Sequence, residues 1–182
     1  MQFERLAIAD LILCVPKIFG DDRGFFYESF NQNLFDAAVG HQVRFVQDNH
    51  SRSAKGVLRG LHYQIAPRKQ GKLVRVTRGA LFDVAVDIRR RSPTFGKWVG
   101  TELSETNHKQ LWIPPGFAHG FFSLIDGTEM LYKATEFYDP GLERVIRWDD
   151  PTLGIDWPLT GKPVLSAKDQ SATTLEHATP ID

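Results

Sequence analysis

The sequence predicts a mostly β protein, a jelly-roll barrel or sandwich with a few short helices at its ends. Several runs alternate apolar and polar residues with the period of two that is typical of β-strands. Turn-forming Gly, Pro, Asn and Asp residues separate these runs at short intervals. Only two stretches have the pattern of a helix, so the order of elements favours a sandwich or barrel over alternating strands and helices.

The central strands are the clearest elements. In the run "LFDVAVDI" (81–88), apolar residues alternate with a second set that contains both aspartates. The apolar set is Phe82, Val84, Val86 and Ile88, and the second set is Asp83, Ala85 and Asp87. This alternation predicts a half-buried strand. The run "KLVRVTRG" (72–79) predicts the preceding strand, with Gly79 and Ala80 in a tight turn.

Three further segments complete the predicted β structure. "RFVQDNHS" (44–51) places Phe45, Gln47 and Asn49 on one face. "MLYKATEFY" (130–138) predicts a strand with one face made of Met130, Tyr132, Ala134, Glu136 and Tyr138. "LWIPPGFAHGFFSLID" (111–126) predicts two strands joined by a Pro-Pro-Gly turn.

The two helical signals lie near the chain ends. "ESFNQNLFDAAVG" (28–40) predicts a short helix that ends at Gly40, since glycine commonly forms the left-handed residue after a helix. "LSAKDQSATTLEHA" (165–178) predicts a second helix capped by Ser166.

Composition narrows the class of protein. The 182 residues form one predicted domain (1–182), and 22 basic residues balance 22 acidic ones, so no overall charge attracts nucleic acid or an anionic membrane. The charged N-terminal segment and the short apolar runs predict neither a signal peptide nor a membrane span. Cys14 is the only cysteine, which excludes an intrachain disulfide and favours a cytoplasmic location.

His62 is the first candidate for chemistry, in the stretch "RGLHYQ" (59–64). An isolated histidine in a strand is more often a packed residue than a catalyst, and a metal ligand or a general base are the other interpretations. The neighbours strengthen the functional interpretations: Gly60 permits a close backbone approach, and Arg59 and Gln64 are polar residues in a strand that otherwise looks buried.

His119 lies just after the Pro-Pro-Gly turn, in the pattern P-x-G-x-x-H. That pattern is the second half of the signature of cupins, which are small jelly rolls that often bind metal. Metal-binding cupins carry H-x-H in the first half, whereas this chain has His62, Tyr63 and Gln64 there. A transition-metal site usually needs three or more protein ligands, so no metal is expected.

Lys72 shares strand parity with Val74 and Val76, which predicts that its ammonium is buried or half-buried among apolar residues. Such burial is costly unless the positive charge binds an anion.

Tyr132 and Tyr138 lie too far apart along the chain to touch, and two tyrosines on one sheet face are more often packing residues than catalytic residues. Asp169 fits the S-x-x-D box that opens a helix, and this capping role alone accounts for it.

Several long motifs, taken in order, resemble the dTDP-4-dehydrorhamnose 3,5-epimerase family. They are "RGLHYQ", "KLVRVTRGALFDVAVDIRRRSPTFGKW", "LWIPPGFAHGF", "YDPGLERVIRWDDPTLGIDWP" and "LSAKD", and the resemblance begins at "GDDRGFFYESF". It implies a cupin-like jelly roll that forms a homodimer and works without metal or another cofactor. It also implies a substrate, dTDP-4-keto-6-deoxyglucose, whose C4 ketone acidifies the hydrogens at C3 and C5.

The resemblance implies four catalytic roles. His62 would be the base, Asp169 would hold its imidazole, and Lys72 would stabilise the oxyanion at O4. Tyr132 would deliver protons to the opposite face of the sugar. The resemblance further implies contacts to diphosphate, sugar and thymidine from Arg23, Phe26, Glu28, Gln47, Asp48, Asn49, Arg59, His119, Tyr138, Glu143 and Lys168. Of these, Arg23, Phe26 and Glu28 would act across the dimer.

Three alternatives stay open at this point. A relative that inverts only C3 or only C5 would share the base and its aspartate. A metal-dependent cupin enzyme is disfavoured by the absent H-x-H motif. A nucleotide-sugar-binding module without catalytic activity would keep nucleotide affinity after His62→Ala and would have no turnover to lose.

Overall fold

Two facing antiparallel sheets dominate the computed structural model, which describes residues 1–179 and 181–182. In chain order the strands are β1 (Gln2–Arg5), β2 (Ile12–Val15), β3 (Phe19–Asp21), β4 (Gly24–Phe26), β5 (Gln47–Ser53), β6 (Leu58–Gln64), β7 (Lys72–Arg78), β8 (Ala80–Asp87), β9 (Trp98–Ser104), β10 (Gln110–Ile113), β11 (Phe117–Ser123), β12 (Thr128–Ala134) and β13 (Glu143–Val145). The helices are α1 (Gln32–Val39), α2 (Ala167–Gln170) and a 3-10 turn (Leu175–His177).

The strand order shows that neighbours in sequence often belong to different sheets. One sheet has the order β1-β2-β10-β7-β12-β5 and the other β13-β6-β11-β8-β9, while β3 and β4 form a separate hairpin. The predicted turn at Gly79 therefore carries the chain from one sheet to the other, as does the Pro-Pro-Gly turn. The mostly β, jelly-roll-like sandwich that the sequence predicts is confirmed.

The core between the sheets corrects one expectation from the sequence. Strand β8 was expected to be half-buried, but both of its faces are covered. Leu81 and Ala85 pack between the sheets, whereas Val84 and Val86 face the C-terminal segment, which covers the outside of the five-stranded sheet. Asp83 is completely buried, because its face is the interior face of the sandwich. Alternation alone could not reveal that a later segment covers the other side.

The remaining elements differ from the sequence prediction mainly at their ends. Strand β12 ends at Ala134, so Tyr138 lies beyond the strand and does not share its face with Tyr132. Strand β5 begins at Gln47. Helix α1 begins after the N-cap Asn31 and ends at Gly40, whose φ of 91° matches the predicted left-handed cap.

The second predicted helix is a single turn. Ser166 caps it as expected, and the chain then continues as irregular structure before the short 3-10 turn. Helix α1 covers the outside of the six-stranded sheet, where Phe35 packs edge-on against Trp112. No helix within the described part of the chain is long and apolar enough to cross a membrane.

Candidate active site

A cavity of about 190 Å³ opens between the two sheets. It brings together predicted site residues from both walls: His62 on β6 and His119 on β11 from one sheet, Lys72 on β7 and Tyr132 on β12 from the other. The full lining is Ser51, Arg59, His62, Lys72, His119, Gly120, Phe121, Met130 and Tyr132. The interior faces of the sandwich therefore carry the polar residues that the sequence singled out.

His62 is held from behind by Asp169. The two residues are separated by 107 positions, yet Nε2 of the imidazole lies 2.6 Å from Oδ1 of the carboxylate. Because the ionised Asp169 carboxylate can only accept a hydrogen bond, Nε2 of His62 carries the proton and Nδ1 carries the lone pair. His62 is thereby fixed in the tautomer that leaves one basic nitrogen free.

Asp169 combines the predicted capping position with this second role. Its backbone N–H donates to Ser166 Oγ (3.1 Å), as an N-cap requires, and Ser166 Oγ donates in turn to Oδ2 (2.7 Å). Oδ1 accepts from the Gly60 backbone N–H (3.3 Å) in addition to His62. Burial would raise the pKa of Asp169, but the bonds from His62 and Ser166 outweigh it, so the pKa lies below its ordinary value. The carboxylate stays ionised.

Gly60 is required by the close approach of β6 and β11. Its φ is 123°, and a Cβ there would lie 2.5 Å from the Cα of Gly120. This approach puts His62 directly opposite His119 in the strand register. The glycine that the sequence marked for a close backbone contact therefore sets the spacing of the two histidines.

Lys72 is buried, as its parity with Val74 and Val76 predicted. Its Nζ lies 5.9 Å from the centre of the Tyr132 ring. Burial lowers the pKa of Lys72 to about 8, against the opposing attraction of the Asp83 and Glu143 carboxylates. Burial likewise raises the pKa of Tyr132, and Glu143 adds to that rise. The tyrosine hydroxyl therefore keeps its proton at neutral pH.

His119 also has a carboxylate partner, Asp83 on the neighbouring strand β8. Its Nε2 lies 2.9 Å from Oδ2 and 3.1 Å from Oδ1. Burial lowers the pKa of His119, although Asp83 acts in the opposite direction. The Asp83 carboxylate also attracts the Lys72 ammonium.

A polar cluster lies beside His62. Glu143 accepts from the Tyr138 hydroxyl (2.9 Å) and from Lys168 Nζ, and its Oε1 lies 3.8 Å from His62 Nδ1. Burial would raise the pKa of Glu143, but the bonds from Lys168 and Tyr138 hold it below its ordinary value. Three predicted substrate-binding residues are thus joined to the base.

Strand β5 contributes the residues of its inward face. Gln47 donates to Asn49 Oδ1 (2.9 Å), and Gln47 Oε1 accepts from the Tyr138 backbone N–H (2.9 Å). Asp48 points to the opposite face, where its carboxylate accepts from Lys133 Nζ (3.1 Å). The side chain of Asp48 is therefore directed away from the cavity.

Three further predicted residues, in the described part of the chain, neither line this cavity nor hydrogen-bond to the polar residues around His62. Arg23 and Phe26 belong to the hairpin β3–β4 and Glu28 follows it, where it accepts from Asn31 Nδ2 (3.2 Å). The side chain of Arg23 is 90% exposed and pairs with its neighbour Asp21, and Phe26 is also exposed. The described part of the chain does not bring these residues to His62.

The motifs and the geometry agree with a comparison to known proteins. The family model described as dTDP-4-dehydrorhamnose 3,5-epimerase matches residues 5–177. The chain belongs to that family. It is an isomerase that carries out the 3,5-epimerisation of dTDP-L-rhamnose biosynthesis, in line with relatives of high identity.

Relatives and solved structures of the epimerase cover almost its whole length. The dTDP-4-dehydrorhamnose 3,5-epimerase of Pseudomonas aeruginosa is 61% identical over 98% of both chains. That of Salmonella typhimurium is 56% identical over 96% of this chain and 95% of its own. A crystal structure of the Legionella pneumophila 3,5-epimerase in complex with dTDP-4-keto-L-rhamnose superposes with a TM-score of 0.94, at 53% identity over 97% of this chain and 93% of that one.

Two polar residues in or beside the cavity escaped the sequence analysis. Asp83 was placed only on the less apolar face of a half-buried strand, although an aspartate in a strand so rich in apolar residues was a signal for a buried partner. Ser51 lines the cavity and shares the inward face of β5 with Gln47 and Asn49, so strand parity could have identified it.

The described residues of the epimerase contain no group of three or more His, Cys, Asp or Glu side chains placed to hold a metal ion. The carboxylates nearest the two histidines are instead occupied by hydrogen bonds, to His62 in one case and to His119 in the other. The cavity therefore offers the imidazole of His62 oriented by Asp169, the imidazole of His119 oriented by Asp83, two cationic side chains and one phenol.

Proposed function

We propose that the epimerase inverts C3 and C5 of dTDP-4-keto-6-deoxy-D-glucose with His62 as the base and Tyr132 as the acid. One observation carries the proposal: the imidazole and the phenol enter the same cavity from opposite sheets. Inversion requires that a proton leave one face of the sugar and that another arrive on the opposite face. Two groups on opposing walls meet that requirement.

The chemistry begins at the basic nitrogen of His62. Nδ1 removes the proton from C3 or C5, and the electron pair moves toward the C4 ketone to give an enolate. Asp169 accepts from Nε2 and stabilises the imidazolium that forms, because the bond becomes charge-assisted. Tyr132 then gives its proton to the same carbon from the other side, and the enolate collapses to the ketone.

Lys72 stabilises the oxyanion at O4. A buried ammonium without a bound anion is costly, so negative charge that develops beside it is strongly favoured. Burial lowers the pKa of Lys72 to about 8, which still leaves it mostly protonated at neutral pH. The Asp83 carboxylate favours this charged state.

The nucleotide end of the substrate is assigned to the remaining polar residues. Arg59 lines the cavity, and a guanidinium fork suits phosphate oxygens. His119 and Lys168 add contacts to phosphate or nucleotide, and Tyr138 stacks on thymine. Gln47, Asp48, Asn49 and Glu143 supply the other polar contacts, with Asp48 restricted to its backbone because its side chain points away.

A homodimer completes this proposal, because Arg23, Phe26 and Glu28 lie outside the cavity of their own subunit. The hairpin that carries the first two exposes Phe19, Phe25 and Phe26, an apolar surface suited to a protein partner. Intersubunit complementation tests it: inactive Arg23→Ala and His62→Ala variants, once mixed, should regain activity. A stable mixed dimer that recovers no activity would place Arg23 in the site of its own subunit.

A cytoplasmic location is also proposed, and the buried free thiol of Cys14 supports it.

Deuterium exchange tests the catalytic roles. In deuterated water the wild-type enzyme should incorporate deuterium at both C3 and C5 of dTDP-4-keto-6-deoxyglucose, measured by mass spectrometry and NMR. His62→Ala should abolish exchange at both carbons. Tyr132→Phe should reduce net inversion more than initial proton removal, and an equal loss of the two would contradict its role as the acid.

A further inference from the structure

The Ser51 hydroxyl has no hydrogen-bond partner among the residues that the structure describes. In the described part of the chain its Oγ is the one buried side-chain nitrogen or oxygen atom that lacks one. Ser51 lines the same cavity as His62, Lys72 and Tyr132. A buried hydroxyl is normally satisfied, and one left free in a binding cavity indicates that a ligand supplies the missing bond.

The strand register fixes the position of Ser51 within the cavity. Across β5 and β12, Ser51 pairs with Met130, and Asn49 pairs with Tyr132 two residues away. Lys72 lies one further step along, because Ala134 pairs with both Gln47 and Lys72. Same-face residues of a strand are about 6.8 Å apart. Along the inward face of β5, Ser51 therefore lies one same-face spacing from the position opposite Tyr132 and two spacings from the position nearest Lys72.

Arg59 marks the other side of Ser51. Its Nε donates to Ser53 Oγ (3.2 Å), and Ser53 is the next residue on the inward face of β5. From Gln47 to Ser53, the inward face of β5 thus passes Lys72 first, then Tyr132, and reaches Arg59 after Ser51. If the ketone lies at Lys72 and the diphosphate at Arg59, Ser51 faces the part of the sugar between them.

We propose that Ser51 hydrogen-bonds the C2 hydroxyl of the sugar, an inference that rests on the substrate orientation given under the proposed function. The hydroxyls between the ketone and the diphosphate are those on C3 and C2. C3 is inverted during the reaction, so its hydroxyl changes direction, whereas the C2 hydroxyl keeps its configuration throughout. A fixed side chain can hold the C2 hydroxyl in substrate, intermediate and product alike, and so keeps the ring in place during both inversions.

The test combines a substitution in the enzyme with removal of the C2 hydroxyl from the substrate. Ser51→Ala and the wild type are each assayed with dTDP-4-keto-6-deoxyglucose and with its 2-deoxy analogue. We expect Ser51→Ala to lower kcat/KM roughly tenfold for the natural sugar, the effect of one lost hydrogen bond, and to change it little for the analogue. The dissociation constant for dTDP, which lacks the sugar, should be the same in both proteins.

Stability of the substrate-free enzyme separates this role from a structural one. Because the Ser51 hydroxyl has no partner in residues 1–179 and 181–182, its removal should not lower the melting temperature. Ser123→Ala is the matched control: Ser123 is also buried, but its hydroxyl donates to the Ile125 carbonyl (3.0 Å). That variant should lower the melting temperature and keep kcat/KM.

Several outcomes would overturn the inference. An equal loss with both sugars, a weaker affinity for dTDP, or a lower melting temperature for Ser51→Ala would each assign the hydroxyl to another role. Turnover by Ser51→Ala that matches the wild type would reject this inference alone. Absence of turnover and of proton exchange in the wild-type enzyme would reject the proposed function as well.

Discussion

Replacing Asp169 with Asn removes the charge that orients the proposed base while keeping the size of the side chain. The carboxylate is almost fully buried and lies 2.6 Å from His62 Nε2. The amide that replaces it can donate its own hydrogen to Nε2, which favours the tautomer with the proton on Nδ1. The nitrogen proposed to accept the substrate proton is then blocked.

The size of the effect follows from the bond that is lost. A hydrogen bond to a charged group contributes about 1.5–3 kcal/mol, which corresponds to a loss of roughly 10- to 100-fold or more in kcat. The tautomer change adds to this loss, so we expect the upper end of that range. The assay is the rate of deuterium incorporation at C3 and C5, with folding checked by circular dichroism.

Stability should change with a definite pH dependence. The folded-state pKa of Asp169 lies below its ordinary value, so its stabilisation is present above the unfolded pKa, about 3.9, and is lost as the pH falls through the folded pKa. The stability difference between wild type and Asp169→Asn should therefore be largest near neutral pH and shrink below about pH 4.

Asp150→Asn is the matched control, a buried aspartate outside the cavity. It accepts from the backbone N–H groups of Thr152 (2.8 Å), Leu153 (3.1 Å) and Leu175 (2.7 Å). This variant should lose stability and keep its exchange rates. If folded Asp169→Asn exchanged both protons within about twofold of the wild type, the orienting role of Asp169 would be refuted.

Three further predictions follow from the geometry. Because Lys72 has a pKa of about 8 and acts as a cation, kcat/KM should fall as the pH rises through about 8. In Lys72→Arg this fall in kcat/KM should move to higher pH. If the fall stayed at the same pH, it would belong to the titration of another group. Asp87→Asn should lower the free energy of unfolding by about 2 kcal/mol near neutral pH, since bonds from Arg89 and two hydroxyls outweigh burial and hold its pKa at about 2. The difference should vanish in acid unfolding experiments as the pH falls from about 4 to 2, and persistence there would contradict it. Gly60→Ala should destabilise the enzyme by more than about 2 kcal/mol in urea denaturation, because its Cβ meets backbone across β6 and β11, and an unchanged midpoint would show that the strands can separate.

Much of the fold could be predicted because local patterns specify local structure. Alternating residues identified the central strands, and glycine at position 40 identified the end of α1. The parity of Lys72 with Val74 correctly predicted a buried lysine. Strand β8 was different, because it was predicted to be half-buried and the face that carries Asp83 lies in the interior of the sandwich. What covers a strand depends on residues far away in the chain.

The family, the β architecture and the types of residue available for proton transfer could all be read from the amino-acid sequence. Which of these residues come into contact became known from the folded chain. Spacing explained Asp169 as a helix cap, and the structure shows the same carboxylate 2.6 Å from a histidine 107 residues away. Asp83 beside His119 and the unpartnered hydroxyl of Ser51 likewise became visible only in the folded chain. The physical reason is that local periodicity fixes which face a side chain occupies, whereas the packing of two sheets fixes what that face meets.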